Sequence, residues 1–134
     1  MLAERVRLAE LTGRHAARLA ADEDAPTARH YLTPRSLHNA MVILHALGGS
    51  TNGVVHMAAI ARRAGLRLDL DEVDRIGRDV PVLVDLKPSG QHYMEHFHEA
   101  GGMPRLLKEV AAHLHLEAPT VAGQTLADVV SMAE

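Results

Sequence analysis

With 134 residues, 47% of them hydrophobic and 23% charged, the chain has the size and composition of one foldable domain and not of a disordered polymer. A formal net charge of -3, with arginines scattered along the chain, excludes the basic stripe of a nucleic-acid binder. The lack of cysteine excludes disulfides, thiolate catalysis and any iron–sulfur cluster held by cysteines of this chain alone.

Aromatic residues make up only 2%, so a core must be built from Leu, Val, Ile, Met and Ala, which suits closely packed helices. The spacing of Leu2, Val6, Ala9, Ala16 and Ala20 predicts an amphipathic surface helix over residues 2–21, with Glu10 and Arg14 paired one turn apart. Its interspersed charges, and the lack of any apolar run of bilayer length, make the chain read as cytoplasmic, without a membrane partner. The stretch DEDAPTARHYL breaks the helix. Thr33-Pro34 then starts a second one that runs to Gly48-Gly49, and its AMVIL segment predicts burial on most sides.

Ser50 or Thr51 can cap a third helix that ends at Arg62, Arg63 and Gly65, so two buried helices are expected to meet at GGSTN. Asp69 with Glu72 three residues later reads as a capped start, and Leu68 and Val73 are spaced as a hydrophobic staple. Val80-Pro81 ends that short helix. VLVDL follows as the best strand candidate and runs into the turn KPSG. Ser89 or Gly90 opens a helix over QHYMEHFHEA, Gly101-Gly102 stops it, and Pro104 starts PRLLKEVAAHL. In the tail, a short strand around Thr120-Val121, a turn at Gly123 and a helix capped by Thr125 are expected. So few strands cannot make a self-sufficient sheet. The fold class expected is α/β, with this chain a mostly helical piece of it.

Three stretches carry possible chemistry. His92-Tyr93-Met94-Glu95-His96 fits H-x-x-E-H, which in one class of zinc peptidases puts two ligands and a glutamate on one helical face. The predicted helix is cut soon after by Gly101-Gly102, only Glu109 and Glu117 follow as possible third glutamate ligands, and a histidine-rich helix start is the competing reading. His38, His45 and His56 read as helix-face histidines with satisfied imidazoles and not as a ligand set, and His15, His30, His113 and His115 likewise read as structural or partly exposed histidines. In GGSTN, the glycines admit close backbone approach, and the following helix start with Ser50, Thr51 and Asn52 suits a carboxylate or phosphate. A tight helix joint with a serine cap explains the same residues. In DLKPSG, Lys87 and Ser89 can point a cation and a hydroxyl into a crevice at a strand end, or lie in solvent.

The stretch LTPRSLHNAMVILHALGGSTNGVVHMAAIARRAGLRLDLDEVDRIGRDVPVLVDLKPSG, continued by HYMEHFHEAGGMPRLLKEV and PTVAGQTLADVV, resembles the middle of the dihydroxy-acid dehydratase and 6-phosphogluconate dehydratase family from about Leu32 to Val130. Its wording is similar to the sugar-acid branch, the arabinonate and xylonate type. The resemblance implies a hydro-lyase that turns a 2,3-dihydroxy acid, a sugar acid or a branched-chain amino-acid precursor, into a 2-keto-3-deoxy acid. It implies an iron–sulfur cluster and Mg2+ as Lewis acids on the leaving 3-hydroxyl, with a serine that takes the C2 proton. It also implies a chain several times longer, in which cluster and magnesium ligands precede this stretch and the serine follows it. Neither C-D-K-x-x-P nor T-D-G-R-x-S-G occurs here.

No catalytic or metal-binding position is therefore carried over, and the chain alone is expected to be inactive. The resemblance places residues 1–134 in the later part of a three-layer α/β N-terminal domain, with about 118–134 approaching a C-terminal β-barrel domain. It matches Gly49, Ser50, Thr51 and Asn52 to the family's GGSTN and Lys87, Ser89 and Gly90 to its PSG loop, and these are the expected substrate-binding residues. The partners implied are a small hydroxy acid, the rest of the dehydratase chain, and further copies in a homo-oligomer. A non-enzymatic helical binding module and a histidine-rich zinc domain remain as alternatives.

Overall fold

The computed structural model describes residues 2–133. Met1 and Glu134 lie outside the described residues, as does the side chain of Leu2 in the expected apolar stripe. The chain forms two compact units, Met1–His30 and Tyr31–Glu134.

In the first unit α1 (Leu2–Ala21) forms as its periodicity predicts, and Arg14 donates to Glu10 at 2.7 and 3.0 Å across one turn. Burial departs from expectation. Val6, Ala9, Ala16 and Ala20 are exposed, Val6 at 63%. An apolar stripe is buried only against a second surface, and one helix with its trailing loop offers none within this unit.

After the single turn α2 (Ala28–Tyr31), the second unit is organised by α3 (Pro34–Ala46). Thr33 caps it as expected: the Ser36 N–H donates to Thr33 Oγ1 at 3.2 Å and the Thr33 N–H donates back to Ser36 Oγ at 2.9 Å. The AMVIL helix reaches the centre, with Met41, Val42 and Ala46 essentially inaccessible. They pack with Val73 and Ile76 of α5 (Leu70–Asp79), with Val80, with Leu106 of α7 (Gly102–Glu109) and with Val110. Leu68 lies against this cluster, as a staple with Val73 requires. The helix after GGSTN, α4 (Thr51–Arg63), is less buried than expected. Only Ala61 is fully covered, while Val55 and Ile60 face outward, because α4 has a packing neighbour on one side.

The VLVDL strand does not form a sheet. Residues 81–85 carry no regular structure, the Leu83 N–H donates to the Ala46 carbonyl at 2.8 Å, and Val82 is 67% exposed. A strand is completed only by a neighbour's backbone, and among the described residues there are just two isolated bridges, Leu86 with His92 and Pro119 with Thr125. The described chain is thus mostly helical. The Thr120-Val121 strand is likewise reduced to a tight loop, closed by the Thr120 N–H to the Gln124 carbonyl at 2.8 Å around Gly123, whose φ is +81°.

The helix expected from Ser89 or Gly90 begins later, as α6 (Met94–Glu99). Residues 85–92 are used instead by a turn: the Gly90 N–H donates to Leu86 O at 2.7 Å, Lys87 N–H to His92 O at 2.8 Å, and His92 N–H to Asp85 O at 2.9 Å. Gly101 and Gly102 have φ of +106° and +60°, so they turn the chain sharply, and α7 starts at Gly102 and not at Pro104. It stops at Glu109, and a 3-10 turn (Ala111–His113) replaces the end of the predicted PRLLKEVAAHL helix. Thr125 caps α8 (Leu126–Ser131).

Candidate functional site

At GGSTN the structure chooses Ser50 as the cap of α4, with the Asn52 N–H donating to Ser50 Oγ at 3.2 Å and the Gly53 N–H to Ser50 O at 2.8 Å. The Gly49 N–H donates to Leu44 O at 2.8 Å. Several amides that a bound anion would use are therefore occupied by the chain itself. The Ser50, Thr51 and Asn52 side chains are exposed, and Ser50 keeps its hydroxyl hydrogen to donate. A Cβ on Gly49 would run into Leu44 Cδ1 and stand 2.9 Å from Leu44 O, and a Cβ on Gly53 would stand 2.6 Å from the same Cδ1. These glycines let α3 and α4 close on Leu44.

The second stretch is held by backbone geometry. A Cβ on Gly90 would overlap Asp85 and the Leu86 nitrogen, so glycine is needed for the close approach that closes the 85–92 turn. Lys87 is exposed, and its side chain folds back along the turn. Its Nζ donates to the Tyr93 hydroxyl at 2.7 Å and lies 4.1 Å from the Tyr93 ring centroid, a cation resting on an aromatic face. Ser89 is exposed at the turn's tip. GGSTN and this turn are joined through one segment: Leu83 is bonded to Ala46, and a Cβ on Gly48 would stand 3.3 Å from Val82 Cγ1. Tyr93 is the residue that sequence reasoning missed here, and its signal was its place six positions after Lys87 across a turn.

HYMEHFH does not form the helix-borne peptidase arrangement. His92 lies in the turn, outside α6, and its ring meets that of His96 edge-on with centroids 5.4 Å apart. His96 Nδ1 accepts the Tyr93 N–H at 3.3 Å. Among the described residues no three His, Asp or Glu side chains gather as a metal site. The two histidines instead line a groove of about 550 Å³ whose walls include Val84, Leu86, Phe97 and Leu106, and whose rim carries Arg105 and Glu109, paired at 2.6 Å. No sequence motif marked this groove, because it forms between α6, α7 and the irregular segment 83–86.

The reading of all helix-face histidines as satisfied is also corrected. His45 Nε2 is buried without a hydrogen-bond partner, its ring pressed on Gly77 of α5, where a Cβ would stand 2.7 Å from Cε1. His56 is exposed, whereas His38 bonds to both α5 and the segment after α7.

Helices closed around glycine joints, with an apolar segment that finds no sheet partner among the described residues, define a mostly helical segment and not a sheet-based module. The chain belongs to the dihydroxy-acid/6-phosphogluconate dehydratase family: residues 1–129 match the family described as Dihydroxy-acid/6-phosphogluconate dehydratase N-terminal. The match begins well before Leu32, where the motif resemblance starts. The chain is similar to an L-arabinonate dehydratase of Rhizobium leguminosarum bv. trifolii, 46% identical over 125 residues covering 92% of this chain and 21% of that protein. It is similar to the chloroplastic dihydroxy-acid dehydratase of Arabidopsis thaliana, 50% identical over 101 residues (74% and 17%), and to a dihydroxy-acid dehydratase of Nostoc sp., 45% identical over 105 residues (77% and 19%). It thus spans 21% or less of the length of these curated relatives. Among the described residues no helix is long and apolar enough to cross a membrane.

Proposed function

We propose that this chain is the later part of the N-terminal domain of a cytoplasmic hydro-lyase that converts a 2,3-dihydroxy acid, a sugar acid or a branched-chain precursor, into a 2-keto-3-deoxy acid. The observation that carries this reading is the family match over residues 1–129. Overall, the C2 proton and the C3 hydroxyl leave as water, and the resulting enol becomes the ketone. The residues of this chain contribute binding. Lys87, steadied by Tyr93, offers a cation to the acid's carboxylate, while Ser50, Thr51, Asn52 and Ser89 offer hydroxyl and amide groups to its oxygens. Gly49 and Gly90 keep both loops close to the backbone behind them.

A cysteine-ligated cluster does not fit the donors present, since the chain has no cysteine, and no three-ligand carboxylate or imidazole group gathers among the described residues for magnesium. Both groups belong to the rest of the polypeptide. By itself the chain is inactive, residues 118–134 lead toward the C-terminal β-barrel domain, and the complete enzyme is a homo-oligomer.

The experiment is a chimera in which this chain replaces the matching part of the Rhizobium L-arabinonate dehydratase, assayed for 2-keto-3-deoxy acid formation. The chimera should turn over, the isolated chain should not, and Lys87→Met in the chimera should raise KM. A folded chimera with its metals bound but no dehydratase activity would sink the enzymatic reading. An unchanged KM for Lys87→Met would remove the lysine from the site.

A further inference from the structure

We propose that the Tyr93 hydroxyl is a second donor beside Lys87, so that the two side chains together grip the two oxygens of one carboxylate. The inference rests on the binding role of Lys87 in the proposed dehydratase and adds a second binding residue to it. The pair is built by the turn. Lys87 N–H to His92 O at 2.8 Å and His92 N–H to Asp85 O at 2.9 Å close residues 85–92 and bring positions 87 and 93 together. Lys87 Nζ then donates to the Tyr93 hydroxyl at 2.7 Å and stands 4.1 Å from the ring centroid.

An ammonium carries three N–H donors, and the tyrosine takes one of them. The phenol oxygen accepts in that contact, so its own O–H is left to donate, and among the described residues nothing accepts it. None of the ion pairs among the described residues includes Lys87 either. Two donor atoms 2.7 Å apart, both on exposed residues, therefore stand ready without an anion. Their separation suits the short edge between the two oxygens of a carboxylate. One N–H takes one oxygen and the O–H takes the other, a two-point contact that is both charge-assisted and directional. Lys87 supplies the charge, and Tyr93 fixes the orientation of the carboxylate plane.

The histidines of HYMEHFH brace this pair. His96 Nδ1 accepts the Tyr93 N–H at 3.3 Å, and the two rings are tilted by 59° with centroids 6.2 Å apart. His96 in turn meets the His92 ring at 84° and 5.4 Å. Tyr93 thus ends a row of three rings that restrains it before a ligand arrives. A donor pair already restrained loses less freedom on binding, which favours affinity. In this arrangement the two histidines of H-x-x-E-H position a tyrosine and do not ligate a metal.

The test uses the chimera with the Rhizobium L-arabinonate dehydratase, metals bound, so that the rest of an enzyme surrounds this chain. KM and kcat for L-arabinonate are measured for the unsubstituted chimera, Lys87→Met, Tyr93→Phe and the double variant. Phenylalanine keeps the ring beside the ammonium and removes only the hydroxyl, at a residue 58% exposed, so the fold is spared. Tyr93→Phe should raise KM about tenfold with a far smaller change in kcat, the pattern of a lost binding contact. The double variant separates a donor from a mere support for the lysine. A donor still acts when Lys87 is gone, so Tyr93→Phe should raise KM at least about threefold in the Lys87→Met background too. An unchanged KM for Tyr93→Phe, either alone or in that background, would overturn the proposal. A folded chimera without turnover sinks the enzymatic reading by itself, and the grip is then read calorimetrically from the dissociation constant of the 2-keto-3-deoxy acid formed from L-arabinonate. Tyr93→Phe should raise that constant by the same factor; an equal constant, or no binding to the unsubstituted chimera, overturns the grip as well.

Discussion

Gly53→Ala should act in opposite directions depending on the residue at position 44. Gly53 is the third residue of α4, so alanine there gains helix propensity worth about 1 kcal/mol. Beyond the helix's own backbone, the three atoms nearest the added Cβ all belong to the Leu44 side chain, with Cδ1 at 2.6 Å and Cδ2 at 3.1 Å. Overpacking of this kind typically costs about 1–3 kcal/mol, so the single substitution should be neutral to destabilising by roughly 2 kcal/mol. Trimming the neighbour by Leu44→Ala removes the obstruction. In that background Gly53→Ala should stabilise by about 1 kcal/mol, because only the propensity gain remains. Gly49→Ala provides the contrast. Its Cβ also meets Leu44 O at 2.9 Å, a backbone atom that Leu44→Ala leaves in place, so rescue there should be partial. Urea denaturation followed by circular dichroism on the four members of each double-mutant cycle reads these signs directly. If Gly53→Ala stabilises equally with leucine or alanine at 44, Leu44 is not what makes glycine necessary, and the close-joint account of GGSTN fails.

Asn39, 8% exposed, is the buried polar residue of the core, and it satisfies both main-chain groups of His115. Asn39→Ala leaves a part-buried donor and acceptor of His115 without their partner and should cost about 1–3 kcal/mol by chemical denaturation, whereas breaking the exposed Arg14–Glu10 pair should cost under about 0.5 kcal/mol; equal losses would refute the assignment. For the last helix, the Thr125 hydroxyl and then the Thr125 backbone N–H bond to the Asp128 carboxylate and hold its pKa below the ordinary aspartate value. A carboxylate depressed in the folded state stabilises above its unfolded pKa, and that contribution is lost as pH falls through the lowered folded value. Acidification below the ordinary aspartate range should therefore fray Leu126–Ser131, seen as loss of helical 13Cα shifts, and Asp128→Asn should remove the pH dependence. Fraying that persists unchanged in Asp128→Asn would assign it to another group.

Local chemistry was legible from the residues alone. Thr33-Pro34, Asp69 and Thr125 each cap the helix they were expected to cap, and Ser50 caps where Ser50 or Thr51 was expected, because an N-cap is a contact between a side chain and an amide only two or three positions away. Ordered motifs such as GGSTN and DLKPSG suffice by themselves to indicate the dehydratase family. What tertiary structure decided depends on partners distant in the chain. The VLVDL segment has strand composition yet stays unpaired among the described residues, since no neighbouring backbone meets it. The α1 stripe predicts a helix correctly but not its burial, which a second surface has to supply. His92 leaves the expected helix because the 85–92 turn uses its backbone groups, and Lys87 finds Tyr93 only when that turn closes. Glu72 was legible as a capping glutamate, whereas the fold brings His38 within 3.3 Å and redirects it. Short-range hydrogen bonds are written in sequence spacing; which of two available partners a side chain takes is settled by helices that pack from far apart in the chain.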